Sequence, residues 1–236
     1  MAVSKVANQK ELAIMTIYPF HSSRGCLSYL LLDEATKEAA LVDPSEEIAQ
    51  EDYLNALKER GASLHYIVET HTHADHVSLA PALKVATGAQ VVRHALAPSK
   101  LNDMPVQGGE RITLGSTELR ILATPGHTNE SISLLVDGAV FAGDALLIGG
   151  TGRTDFQLGD SEALYTSLHE VFGMLPDTTS VFPAHDYKGR THSTIGDERL
   201  HNPRFLLPKE DFIEALNAHH PPEPELFTEA IEKNSI

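Results

Sequence analysis

The chain of 236 residues carries 18 basic against 33 acidic side chains, a formal net charge of −15. That field repels phosphate backbones and anionic lipid, which argues against nucleic acid and membrane partners but leaves room for a local cationic pocket. Hydrophobic residues at 42% suffice for a real core, and a single cysteine, Cys26, rules out an intrachain disulfide framework and fits a reducing compartment.

MAVSKVANQKELAIMTIY has neither the apolar stretch of a secretory signal nor the arginines of a transit peptide. No run approaches the roughly 18 apolar residues of a spanning helix. The expectation is a soluble, cytoplasmic protein. LAIMTIYPF (12–20), CLSYLLLD (26–33) and EAALVD (38–43) read as strands, being short apolar runs parted by turn-like or charged segments. Asp43-Pro44-Ser45 breaks the chain, and 48–61 follows as an amphipathic helix closed by Gly61. LHYIVET (64–70) is a strand that ends directly at His71; a helix over 78–88 leads to the strand 89–94. The second half opens with the strands ERITL, TELRILATP, SISLLVD and AVFAGD, then a helix over 161–175, a strand over 179–185 and a tail helix PKEDFIEALNAHH. Mixed strands and helices without a repeat or a low-complexity linker predict one domain, 1–236, with sheets packed inside helices.

The polar clusters fall at strand ends. ETHTHADHVS puts His71, His73, Asp75 and His76 just after one strand; His127 follows RILATP, Asp144 closes AVFAGD and His185 closes TSVFPAH. His and Asp so tightly spaced call for a cation to draw them together in a packed interior. Imidazole and carboxylate without thiolate suit zinc, iron or manganese. His21, His65, His94, His169, His192, His201, His219 and His220 are read as turn or surface residues. Gly149, Gly150 and Gly152 do not form a phosphate loop, since no GKS or GKT follows; they are expected to allow a tight loop beside Asp144.

HTHADH with His127, Asp144 and His185 resembles the metallo-β-lactamase superfamily, which implies an α+β fold: an αββα sandwich of two mixed sheets between outer helices. GDALLIGGTGRTDFQ, PAHDYKGRTHST and ERLHNPRF are similar, more narrowly, to the persulfide dioxygenase branch, also called sulfur dioxygenases or the ethylmalonic-encephalopathy protein family. The resemblance implies oxidation of glutathione persulfide with O2 to sulfite and glutathione, by one Fe(II) per chain on His71, His127 and Asp144. Such a two-histidine, one-carboxylate set leaves positions open for sulfur and O2. It also implies that His73, Asp75, His76 and His185 orient the ligands rather than bind iron.

Arg153 in GRTDF is the candidate to clamp a glutathione carboxylate, its alternative being an ion pair with Asp155 or Asp186. Tyr187 is a candidate to hydrogen-bond to the bound thiolate or dioxygen, and Lys188 to face the same cleft. The chain departs from the branch at Thr151, where cysteine is frequent, and at Ala142, where threonine is. Cys26 is read as a small buried residue.

The same residues could instead build a binuclear thiolester hydrolase resembling glyoxalase II, with a bridging water between two ions. Against it, only about 50 residues follow His185, fewer than the usual helical glutathione-binding domain of such enzymes. A non-enzymatic persulfide sensor would not need the complete ligand set. A separate rhodanese-like sulfurtransferase partner and a homodimer are expectations from the family only.

Overall fold

The computed structural model describes residues 15–218 and 220–235; the start of the first expected strand, 12–14, and His219 lie outside them. Two six-stranded sheets are stacked face to face. The first has the order β1 (Met15–His21), β2 (Leu27–Asp33), β3 (Glu38–Val42), β4 (Ser63–Val68), β5 (Gln90–His94), β6 (Met104–Val106). In the second, β7 (Arg111–Leu114), β8 (Thr117–Ala123), β9 (Ile132–Val136), β10 (Ala139–Gly143), β11 (Ser180–Pro183) and β12 (Ser193–Thr194) lie side by side in chain order.

Side chains alternate across each strand, and β2 shows why its whole sequence is apolar. Leu27, Tyr29 and Leu31 point into the layer between the sheets, against Ile121, Leu134 and Phe141 of the second sheet. Leu30 and Leu32 point the other way, onto the outer helices α1 (Gln50–Arg60) and α2 (Ala80–Thr87) through Tyr53, Leu57 and Leu83. The second sheet is covered likewise: Val140, Ala142 and Val181 meet Leu164 of α3 (Ser161–Thr166), Ile195 of α4 (Ile195–His201), Phe205 of α5 (Pro203–Leu206) and Phe212 of α6 (Lys209–Asn217). The layers are therefore helix, sheet, sheet, helix, as the resemblance implied. Both sheets mix parallel and antiparallel pairs.

Several local expectations change. The helix expected over 161–175 is α-helical only to Thr166, then passes through a π-helical turn, Ser167–Val171, and a 3-10 turn, Phe172–Met174. The strand expected to 185 stops at Pro183, which has no N–H to give a neighbouring strand, so His185 sits two residues beyond it. A last helix, α7 (Phe227–Asn234), had no counterpart in the sequence reading. Among the described residues no helix is long and apolar enough to cross a membrane.

Strand direction places the site. β8 and β10 each run antiparallel to β9, and β11 runs parallel to β10, so the C-terminal ends of β8, β10 and β11 emerge at one edge. His127, Asp144 and His185 follow those three ends. The HTHADH loop follows the end of β4 in the other sheet, and Ile132 N donates to Thr70 O (2.8 Å) across the gap. Leu27 N donates to Ala184 O (2.8 Å) at the same edge.

Candidate metal centre

His71, His127 and Asp144 offer three ligand atoms that lie within 4.8 Å of one another. Their hydrogen bonds determine which atoms are free. His127 Nδ1 lies 2.7 Å from the Arg153 carbonyl, which can only accept, so Nδ1 carries the proton and Nε2 keeps its lone pair. Thr70 spends its hydroxyl proton on Asp43 Oδ2 (2.8 Å), so its oxygen accepts from His71 Nδ1 (3.0 Å) and again Nε2 is left bare. Asp144 Oδ1 is bound to His185 Nδ1 at 2.7 Å, while Oδ2 faces His127 Nε2 at 3.7 Å. Two imidazole nitrogens and one carboxylate oxygen thus converge without protons between them. The set fits a divalent metal ion.

Burial pushes the His71 imidazole well below its ordinary range, with His73 and His127 adding to the effect, so it stays neutral and able to ligate. Burial would raise the Asp144 carboxyl, but the positive His185 and its hydrogen bond outweigh that and hold it down. His185 is lifted well above its usual value because Asp144 and Asp75 overcome its burial. Its second nitrogen, Nε2, is 2.7 Å from Asp75 Oδ2. An imidazolium wedged between two carboxylates results.

The remaining polar residues form two further groups. Cys26, Asp75, His76 and His185 offer donors within 4.8 Å of one another, with Cys26 Sγ 3.6 Å from His76 Nδ1. Against the cost of burial, Asp75 and Cys26 raise His76 to about 10, and His185 and His76 lower the Cys26 thiol. His73 belongs with Asp43 and Glu69 instead. It is fully buried, 3.3 Å from Asp43 Oδ1, and neither ring nitrogen has an aligned hydrogen bond.

A cavity of about 460 Å³ opens beside the first group, lined by Asp75, His127, Asp144, Tyr187 and Arg204 and roofed by Pro221, Pro222 and Pro224. Gly152 makes this possible. A Cβ there would stand 2.5 Å from Asp144 O and 2.7 Å from His127 Nδ1, so the glycine loop does pack tightly beside Asp144. Arg153 also lines the cavity, but four of its five N–H donors are taken, by both oxygens of Asp155 (2.6 and 2.7 Å) and by the carbonyls of Pro221 and Pro222 (2.8 and 2.9 Å). It holds down the roof. Asp186 pairs with Arg190 instead (2.6 Å). The Tyr187 ring is stacked on His185 at 6.1 Å and is 76% exposed; Lys188 is exposed and outside the cavity lining.

Five residues that the sequence reading did not single out matter here. Asp43 accepts from Thr70 N (2.7 Å) as well as its hydroxyl, and Glu130 Oε1 accepts from Thr72 N (2.7 Å). Gln157 donates to Thr72 O (2.6 Å), and Asn234 bonds to the same loop. Arg204 lines the cavity with a guanidinium that makes no ion pair or hydrogen bond among the described residues. Asp43, at the end of an apolar strand before proline, and Arg204, in the quoted HNPR run, were visible as residue types; their distance from HTHADH in sequence hid them.

A family profile described as the metallo-beta-lactamase superfamily matches residues 23–185. A curated bovine protein, persulfide dioxygenase ETHE1, mitochondrial, is 40% identical over 210 residues, covering 88% of this chain and 82% of its own length. The crystal structure of ETHE1 from Myxococcus xanthus superposes with a TM-score of 0.90 at 40% identity, covering 94% of this chain and 98% of that one. Glyoxylase B2 from Dictyostelium discoideum is 32% identical over 224 residues, covering 78% of this chain and 76% of its own.

Proposed function

Because the chain belongs to the metallo-beta-lactamase superfamily, on the branch of the persulfide dioxygenases, we propose that it oxidises glutathione persulfide or a similar small persulfide with O2, giving sulfite and the free thiol. We read residues 1–236 as one domain and its cofactor as a single Fe(II) on His71, His127 and Asp144. Iron held there supplies one-electron chemistry and open coordination positions for a sulfur substrate and O2. Redox-inert zinc does not.

The observation that carries the single-iron reading is the placement of His185. Both of its nitrogens face carboxylates, Asp144 at 2.7 Å and Asp75 at 2.7 Å. It leaves Asp144 one oxygen for the metal and fixes the direction of that oxygen. Asp75 and His76 act behind it. Tyr187, stacked on His185, is assigned the hydrogen bond to the incoming sulfur. The carboxylate contact expected of Arg153 passes to Arg204, which lines the cavity unpaired among the described residues while Arg153 secures the roof. Inside the acidic shell, that guanidinium is the natural receiver for an anionic substrate. We place the enzyme in the cytoplasm, with a separate sulfurtransferase as donor; the bovine relative is mitochondrial by name, and fractionation of producing cells decides the compartment.

The test is O2 uptake by protein loaded anaerobically with Fe(II), on adding glutathione persulfide, with sulfite assayed in the same vial. Uptake with matching sulfite, absent with Zn(II), is expected. No uptake despite bound iron overturns the reading. The second reading, a binuclear thiolester hydrolase, is favoured by the four donors of the Cys26, Asp75, His76 and His185 group. Two ions per chain with thiolester turnover would establish it.

A further inference from the structure

We infer that Asn234, in the last turn of α7, is a positioning residue for the loop that carries the metal ligand His71 and the orienting residues His73, Asp75 and His76. The inference rests on the reading of that loop as part of a metal centre. Between the end of β4 at Val68 and the start of α2 at Ala80 the chain has no helix or strand, yet nearly all of it is buried. Buried backbone groups outside regular structure must find partners elsewhere. Asn234 provides them from about 160 residues away in sequence: its Nδ2 donates to His73 O and to His76 O, both at 2.9 Å, and its Oδ1 accepts from Ser78 N at 2.9 Å.

Three bonds to one loop leave the side-chain amide no other use. Its orientation is determined, because two carbonyls can face only the NH2 and an N–H can face only the oxygen. Aspartate in its place would turn an acceptor toward those carbonyls, and alanine would leave all three loop groups without a partner. The helix does not depend on this side chain for its docking. Ala230 is fully buried, Phe227 packs on Phe156 with ring centroids 4.8 Å apart, and Arg93 Nη1 donates to the Asn234 backbone carbonyl at 2.9 Å. The backbone of α7 is thus anchored by one set of contacts, and the Asn234 amide is spent on His73, His76 and Ser78. That amide sets where His76 and Asp75 stand, and through Asp75 and His185 the direction of Asp144.

The experiment titrates metal-free protein with Co(II) under chelator competition, records the d–d spectrum, and measures thermal unfolding of the metal-free form. Asn234→Ala and the isosteric Asn234→Asp are compared with wild type and with Phe227→Leu, which loosens α7 without touching the loop. Both Asn234 variants are expected to bind Co(II) about 10–100-fold more weakly, the range for groups that orient metal ligands, with a changed d–d envelope. Phe227→Leu is expected to melt earlier yet keep wild-type affinity and spectrum. Wild-type affinity and spectrum in Asn234→Asp would overturn the inference, as would a loss in Phe227→Leu proportional to its melting shift. Failure of the wild type to bind Co(II) at all would instead strike the metal centre itself, and the positioning role with it.

Discussion

His127 can serve as a ligand because the Arg153 carbonyl holds its Nδ1 proton, and Asp144 because His185 takes only one of its oxygens. Each ligand atom is defined by a neighbour, so the contribution of a side chain depends on what that neighbour already binds. His71→Ala or Asp144→Ala should lose iron and turnover together, measured as iron per chain and O2 uptake; full iron with normal turnover would remove that residue from the ligand set. The two arginines separate in the same way. Arg204→Ala should raise KM for glutathione persulfide about tenfold with little change in kcat, the low end for a charged hydrogen bond at a half-exposed site. Arg153→Ala releases the Pro221–Pro222 roof, so kcat and KM should both suffer. A pure KM effect in Arg153→Ala, with none in Arg204→Ala, would return the carboxylate contact to Arg153.

At the scale of elements, the short apolar runs of β2, β3 and the strands from 117 to 143 announced sheets packed inside helices, the resemblance implied the sandwich, and HTHADH, His127, Asp144 and His185 announced its working edge. What stayed hidden has a physical reason. α7 follows a proline run and has short, weakly apolar turns, so its helicity depends on docking rather than on pattern. The link between the sheets at the opposite edge is equally tertiary. Asp33, at the end of β2, accepts from Ala35 N and Thr36 N in its own turn and from Ser116 N and Oγ in the β7–β8 hairpin. Gly115 allows that approach, since a Cβ there would stand 2.6 Å from Asp33 Oδ2. Burial pushes the Asp33 carboxyl up, but the bonds from Ser116, Thr36 and Ala35 prevail and hold it at about 2. A carboxyl lowered in the fold stabilises fully above its unfolded value near 3.8, and that contribution fades as pH falls toward about 2. Asp33→Asn should therefore cost about 2 kcal/mol at neutral pH. By denaturant unfolding, the gap to wild type should close between about pH 4 and pH 2. A gap that stays constant through that range would mean Asp33 contributes no charge-dependent link.

At the scale of the whole molecule, a net charge of −15 surrounds a cavity that has to admit an anion. The charge was legible in the sequence and argued against phosphate-rich partners, but it could not say which cavity cation is left without a protein partner, because Arg153 and Arg204 differ only in what surrounds them. Their two environments predict how salt acts. With the whole charge placed about 20 Å away, near the molecular radius, an incoming monovalent anion is repelled by roughly 1.5 kcal/mol when the Debye length is about 30 Å. At about 0.15 M salt the Debye length is about 8 Å and the repulsion falls to a few tenths. A contact at Arg204 acts over a few ångströms inside the cavity and is screened far less. The long-range term therefore responds to salt and the local one does not. KM for glutathione persulfide should fall severalfold, by no more than about tenfold, as ionic strength rises from about 0.01 to 0.15 M. Arg204→Ala should show the same slope from a higher starting value. A KM that rises with salt in the wild type, and loses that rise in Arg204→Ala, would mean that the attraction at the cavity outweighs the acidic shell.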